Sequence, residues 1–248
     1  MRLALWQGAS PSGDVEAAFA EIARALAAGR AAGADMLLMP ELFLPGYGVE
    51  PMRADPGWAP RLSRLAAEAG TGLCIGLAEE EGGALVNVAL AFGPDGALLA
   101  RYVKTQLFGA REKRLFTPGN GPVAFDFAGT RIALLICYDV EFPELVRASA
   151  RLGAALILVP TANPEPFDTV QRFTVPAQAA MNGLAVAYAN FCGPEGALTY
   201  NGLSLIAAPD GEPLASAGRR AAFLVVDLPS RSDPTLRALS TQLEDLRE

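Results

Sequence analysis

Histidine is absent from all 248 residues. That removes the usual base of thiol and serine hydrolases and the commonest metal ligand. Cysteine is scarce. Cys74, Cys137 and Cys192 are odd in number and widely spaced, which argues against a disulfide framework and for a reducing, cytoplasmic compartment. No stretch approaches the roughly 20 consecutive apolar residues a membrane span needs, so no membrane association is expected. The first residues, Met1 to Gln7, read as a strand without the long apolar run and small-residue cleavage site of a signal peptide. Basic residues number 20 against 27 acidic ones, a net charge of −7 with no basic stripe, which disfavours nucleic acid as a partner. Nucleotide motifs are missing too. Gly70-Thr-Gly-Leu-Cys-Ile-Gly76 has the wrong spacing for a dinucleotide loop and precedes a strand-like run. Without histidine or a cysteine cluster, neither a metal nor a cofactor is expected.

What remains is an apolar chain, 51% hydrophobic, whose length suits one domain over 1–248. Strand-like runs fall at 2–7, 36–39, 73–77, 85–92, 98–102, 131–136, 156–159, 184–190, 203–207 and 223–226. Helical periodicity covers 15–32, 59–69, 143–152 and 169–181. Asp14 suits an N-cap of the first helix and Gly33 its stop. Pro94-Asp95-Gly96 and Pro209-Asp210-Gly211 join strand runs directly, so antiparallel pairs are expected beside strand–helix–strand crossovers. The class is α/β with a mixed sheet.

Three reactive groups stand where apolar runs end: Glu41 after Met36–Pro40, Lys104 after Leu98–Val103, and Cys137 after Arg131–Ile136. Strand ends are where open α/β sheets bind ligands. A carboxylate to take a thiol proton, a thiolate to attack a carbonyl and an ammonium to hold the oxyanion make an acyl-transfer set. A thiol between a strand and a helix also faces backbone N–H groups, and these and the helix dipole favour the thiolate. Taken singly, each residue has an ordinary reading: a turn glutamate, a solvated lysine, a core cysteine. Cys74 sits mid-strand as a small buried hydrophobe, and Cys192 has no charged companion.

The blocks Pro40-Glu-Leu-Phe-Leu-Pro-Gly-Tyr47, Tyr102-Val-Lys-Thr-Gln-Leu-Phe-Gly109 and Leu135-Ile-Cys-Tyr-Asp-Val-Glu-Phe-Pro-Glu144 resemble the three signatures of the nitrilase superfamily of carbon–nitrogen hydrolases. Glu112, six residues before Pro118, stands where that family places a second glutamate. The resemblance implies a four-layer α-β-β-α sandwich with two mixed β-sheets, and subunits that pair into a homodimer or larger homo-oligomer. It implies Cys137 as nucleophile and Glu41 as general base. Lys104 and the Tyr138 N–H would stabilise the oxyanion, with Glu112 positioning Lys104 or the substrate.

Within the superfamily, Met1–Gly8, Cys137–Glu144, Ile157–Asn163, Tyr188–Glu195 and Ala207–Gly218 resemble bacterial 5-aminopentanamidases and related linear-amide amidases. The implied activity is hydrolysis of a small linear amide, ω-amino amides included, to carboxylate and ammonia through a cysteine thioester. Action on a nitrile or an N-carbamoyl compound, or silent metabolite binding, are the alternatives. A cationic substrate needs an acidic or aromatic partner. Asp139, Glu141, Glu195, Tyr47, Phe108 and Tyr138 are candidates, although Asp139 and Glu141 also suit a helix N-terminus. Asn163 suits either the pocket wall or a loop cap. Gln106, Pro176, Gln178 and Met181 depart from the relatives' usual His, Arg, Arg and Glu, which leaves substrate and assembly open.

Overall fold

The computed structural model describes residues 1–230 and 232–247. In chain order its elements are β1 (Arg2–Gln7), α1 (Val15–Ala31), β2 (Met36–Leu38), α2 (Trp58–Ala69), β3 (Gly72–Glu81), β4 (Ala84–Phe92), β5 (Leu98–Val103), α3 (Gly109–Leu115), β6 (Val123–Phe127) and β7 (Thr130–Leu134). There follow α4 (Pro143–Arg151), β8 (Leu156–Pro160), α5 (Val175–Asn182), β9 (Ala185–Ala189), β10 (Cys192–Glu195), β11 (Leu198–Asn201), β12 (Leu205–Ala207), β13 (Pro213–Ser216), β14 (Ala222–Asp227) and α6 (Gln242–Asp245).

Two six-stranded sheets run in the orders β14-β1-β2-β3-β4-β5 and β13-β12-β9-β8-β7-β6. Each has three parallel strands at its centre, β1-β2-β3 and β7-β8-β9, flanked by antiparallel neighbours. The parallel trios need crossovers, which α1, α2, α4 and α5 supply.

Alternation along the strands sets the layers. Leu3 and Leu5 of β1, Met36 and Leu38 of β2, and Cys74 of β3 share a core with Ile132, Leu134, Leu156 and Leu158 of the second sheet. Their neighbours Ala4, Trp6, Leu37, Leu73 and Ile75 turn the other way, onto Phe19, Ile22 and Leu26 of α1 and Leu62 and Ala66 of α2. Strands β1, β2 and β3 contact β8 and β9 across the sandwich, while α5 covers β9 and β12. The result is the expected α-β-β-α sandwich. Among the described residues, no helix is long and apolar enough to cross a membrane.

The periodic segments match the structure, with instructive exceptions. The segment 169–181 opens with a π-helical turn, Val170–Thr174, before α5 begins at Val175. Pro176 has no N–H to offer the carbonyl four residues back, so a regular helix cannot run through that point. Strand β12 starts at Leu205, two residues late. Leu203 takes a positive φ of 58° and the Ser204 N–H donates to the Gln7 side chain at 2.9 Å. Short α3, β6 and the hairpin β10–β11 lie in charged or Gly/Pro-rich sequence that carries no clear period.

Candidate functional site

Glu41, Lys104, Glu112 and Cys137 come from four separate segments, and the fold brings them together. Glu41 lies just beyond β2, on a loop pressed against β3. The Gly76 N–H donates to Pro40 O at 3.0 Å and the Phe43 N–H to Gly76 O at 2.8 Å. A Cβ on Gly76 would sit 2.5 Å from Glu41 Cα, so only glycine lets the glutamate come this close. Lys104 follows β5 directly, and its own N–H donates to Asn87 O at 2.9 Å. Glu112 is on α3, where its Oε2 accepts the Phe108 N–H at 2.9 Å.

Lys104 Nζ is the hub. It donates to Glu41 Oε1 at 2.7 Å and to Glu112 Oε1 at 2.8 Å, and none of the three side chains is exposed. Glu41 also accepts from Asn87 Nδ2 at 2.7 Å and, on Oε2, from the Ala162 N–H at 3.0 Å. Glu112 Oε1 further accepts from the Tyr47 hydroxyl at 2.7 Å. Burial raises the Glu41 pKa, with Lys104 pulling the other way and Glu112 adding to the rise. Burial works against the Lys104 charge, but Glu41 and Glu112 outweigh it and hold its pKa well above the ordinary value.

Cys137 adopts a positive φ of 45°, costly for a side chain bearing Cβ. It begins a tight 3₁₀ turn, Cys137–Glu141. Asp139 fixes that turn from below. Its carboxylate accepts from the Ile136 N–H at 3.0 Å, the Gln106 N–H at 2.7 Å and the Tyr102 hydroxyl at 2.7 Å. Gln106 engages Asp139 through its backbone N–H, which every residue but proline supplies.

The pull toward the thiolate expected from backbone N–H groups and a helix dipole is outweighed here. Burial and the Glu41 charge push the Cys137 thiol well above its ordinary pKa, and Lys104 and the Ala162 N–H only partly oppose them. The helix proper starts at Pro143, beyond the 3₁₀ turn, so no α-helical first turn presents its N–H groups to the sulfur. A thiol whose pKa is raised needs a base to take its proton.

Cys137 opens into a cavity of about 210 Å³ lined by Tyr47, Phe108, Tyr138, Glu141, Ala162, Asn163, Pro164 and Phe167. Of the residues named for contact with a substrate, Tyr47, Phe108, Tyr138, Glu141 and Asn163 are on this wall, and Asp139 and Glu195 are not. Phe108 packs edge-on against Tyr138, with centroids 5.2 Å apart, and against Phe167 at 5.6 Å. Larger surface grooves, of about 460 and 490 Å³, contain none of the four central residues.

The acidic candidates separate by their partners. Asp139 is committed to its turn, and Glu195 accepts hydrogen bonds from Ser10, Gly48 and Tyr200 away from the cavity. Glu141 lines the cavity and, among the described residues, accepts no hydrogen bond and joins no ion pair. Its pKa is raised by burial, against the pull of Lys104. The Asn163 side chain is held in a buried amide network, donating to Phe167 O at 2.9 Å and Gln171 Oε1 at 3.0 Å.

Sequence reasoning missed Asn87, Ala162 and Phe167. Asn87 had a signal, as the one polar residue inside the apolar run Leu85–Phe92. Ala162 acts through its backbone and leaves none. Among the described residues, no group of three or more His, Cys, Asp and Glu side chains is placed to hold a metal ion.

Residues 2–234 match the family model for carbon–nitrogen hydrolases. A hydrolase of Pseudomonas protegens is 40% identical over 88% of this chain and 79% of its own length. An (R)-stereoselective amidase of a Pseudomonas species is 32% identical over 92% and 85%. A human omega-amidase is 34% identical over 79% and 77%. An amidase from Nesterenkonia sp. AN1 superposes with a TM-score of 0.91 at 38% identity, covering all of this chain and 96% of its own. A variant of that amidase, carrying acrylamide at its active-site cysteine, superposes with a TM-score of 0.88 at 39% identity over 92% and 93%.

Proposed function

The chain belongs to the carbon–nitrogen hydrolase family, and from that premise we propose that it cleaves small linear amides through a thioester on Cys137. The observation that carries the proposal is the triangle Glu41–Lys104–Glu112, buried beside a cavity that Cys137 lines.

In this reading Glu41 removes the Cys137 proton as the sulfur attacks the amide carbon. The carbonyl π pair moves onto oxygen, where the Lys104 ammonium and the Tyr138 N–H stabilise the negative charge. As the tetrahedral intermediate collapses, the proton held by Glu41 passes to the departing nitrogen and ammonia leaves. Glu41 is again a carboxylate. It then takes a proton from water, whose oxygen attacks the thioester, and the thiol is restored with release of a carboxylic acid. A base whose pKa is raised by burial is suited to both halves. Glu112 fixes Lys104 from the side opposite Glu41.

The substrate reading goes further, to an amide carrying a distal ammonium, such as 5-aminopentanamide. Glu141 supports it as a carboxylate on the cavity wall with no hydrogen bond or ion pair among the described residues. Phe108, Tyr138 and Phe167 add aromatic surface suited to a cation and its methylene chain. The small cavity also agrees with the butyramide found in a cysteine-to-alanine variant of the Nesterenkonia amidase. Ammonia release from a panel of ω-amino, neutral and ω-carboxy amides tests the proposal. Fastest turnover of the ω-amino members is expected, and turnover of the matching nitriles alone would contradict it.

A further inference from the structure

The loop after β2 carries two groups of the site, Glu41 near its start and Tyr47 about midway along it. The Glu41 end is laced to β3 by backbone hydrogen bonds that finish with the Ala78 N–H to Leu44 O at 2.9 Å. Past that point the loop is held differently. Glu195, only 3% exposed, accepts the Gly48 N–H on Oε2 at 2.9 Å. The same carboxylate accepts from the Ser10 hydroxyl at 2.6 Å and from the Tyr200 hydroxyl. Gly46 and Gly48 flank Tyr47 and pack against the Glu195 carboxyl group; a Cβ on Gly46 would be 2.6 Å from Glu195 Oε1 and one on Gly48 3.1 Å from Glu195 Oε2. On the outer side, Arg111 donates to Val49 O at 3.0 Å and stands 5.5 Å from the Tyr47 ring centroid.

Glu195 has no cationic partner among the described residues. Burying a carboxylate this way costs several kcal/mol unless its lone pairs are satisfied, and here three donors from three separate segments satisfy them. A core position does not need a charge. What the charge does is join the β1–α1 loop, the Tyr47 loop and β11 at one point. Tyr47 then delivers its hydroxyl to Glu112 Oε1, the oxygen that also takes Lys104.

We propose that Glu195 is a positioning residue for amide hydrolysis: by accepting the Gly48 N–H, it holds Tyr47 against Glu112 and so sets the place of Lys104. The proposal rests on the amidase reading above. Glu195 touches neither substrate nor thiol, so its effect must pass through Tyr47.

A double-mutant cycle with Tyr47→Phe tests this by steady-state kinetics. Glu195→Gln and Tyr47→Phe should each lower kcat by about tenfold or more, as misplacement of a remote support does. The double variant should fall within about threefold of Tyr47→Phe alone, the non-additivity of residues acting in one chain. Both single variants should also shift the acid limb of the kcat–pH profile in the same direction. Effects that multiply would overturn the proposal, as would a Glu195→Gln protein that loses thermal stability but keeps kcat. Should Glu195→Gln not fold, Tyr200→Phe removes one donor from the same carboxylate and takes its place in the cycle. No ammonia release by the unaltered protein would sink the amidase reading, whereas a normal rate in Tyr47→Phe would overturn the positioning role alone.

Discussion

Lys104 Nζ lies 2.7 Å from Glu41 Oε1 with neither side chain exposed to solvent. A buried ion pair of this kind contributes little net stability, because the desolvation of both charges offsets their attraction. Its worth lies in what each charge does to the other. Lys104 keeps Glu41 able to ionise in a site whose burial would otherwise hold the proton on it.

Glu41 must be ionised to accept the thiol proton, and its pKa is raised above 4.5 by burial. Rate should therefore fall with decreasing pH through a midpoint above the ordinary carboxylate range, with no histidine to account for it. Glu41→Gln should reduce kcat by about 10²–10⁴-fold, the usual contribution of a positioned base. A wild-type rate in that variant, measured by ammonia release, would remove Glu41 from the role.

Glu141 governs the charge of the substrate in this account. Glu141→Gln should raise KM for an ω-amino amide by about tenfold or more, the scale of a lost charge-assisted contact. KM for the neutral amide of equal length should hardly change. Equal effects on the two amides would make Glu141 a structural residue of its turn.

Gly76→Ala probes the seating of Glu41. The added methyl would meet Glu41 Cα at 2.5 Å, so the loop must shift. Overpacking at such a contact costs about 1–3 kcal/mol, readable as a lowered thermal midpoint. Because the shift moves Glu41, kcat should fall as well. An unchanged kcat would separate loop placement from the chemistry.

Asp139 makes stability depend on pH with a definite sign. Burial lifts its pKa from 3.8 to about 6 despite Lys104 and its hydrogen bonds. Between those values the folded protein holds a proton that the unfolded chain has lost, so this group's contribution is full below pH 3.8 and fades as pH rises through about 6. The change is about 3 kcal/mol at 1.36 kcal/mol per pKa unit. Denaturant titrations across this interval should show that decline in the unaltered protein and a flatter profile in Asp139→Asn.

Much of this arrangement was legible because the fold places chemistry at strand ends. Glu41, Lys104 and Cys137 each closed an apolar run, and the signature blocks around them resembled one family closely enough to imply the sandwich. Other features were not legible, for physical reasons. The π-helical turn before Pro176 and the positive φ of Cys137 depend on backbone geometry that periodicity does not encode. Ala162 contributes an N–H that every residue but proline carries. Glu195 read as a candidate for a substrate's amine, and only the structure shows it committed to Gly48, Ser10 and Tyr200. The pull of nearby N–H groups on the Cys137 thiol was overweighted because a sequence shows a helix nearby but not the desolvation and the Glu41 charge that oppose it.

An amide that passes through a thioester on Cys137 leaves its acyl group there, and mass spectrometry of acid-quenched turnover reads that group. Protein mixed with a good ω-amino amide and quenched within the first turnovers should carry the acyl mass on the peptide containing Cys137. Cys137→Ala should show neither adduct nor ammonia. Ammonia release that persists in Cys137→Ala, or an adduct mapped to Cys74 or Cys192, would contradict the account.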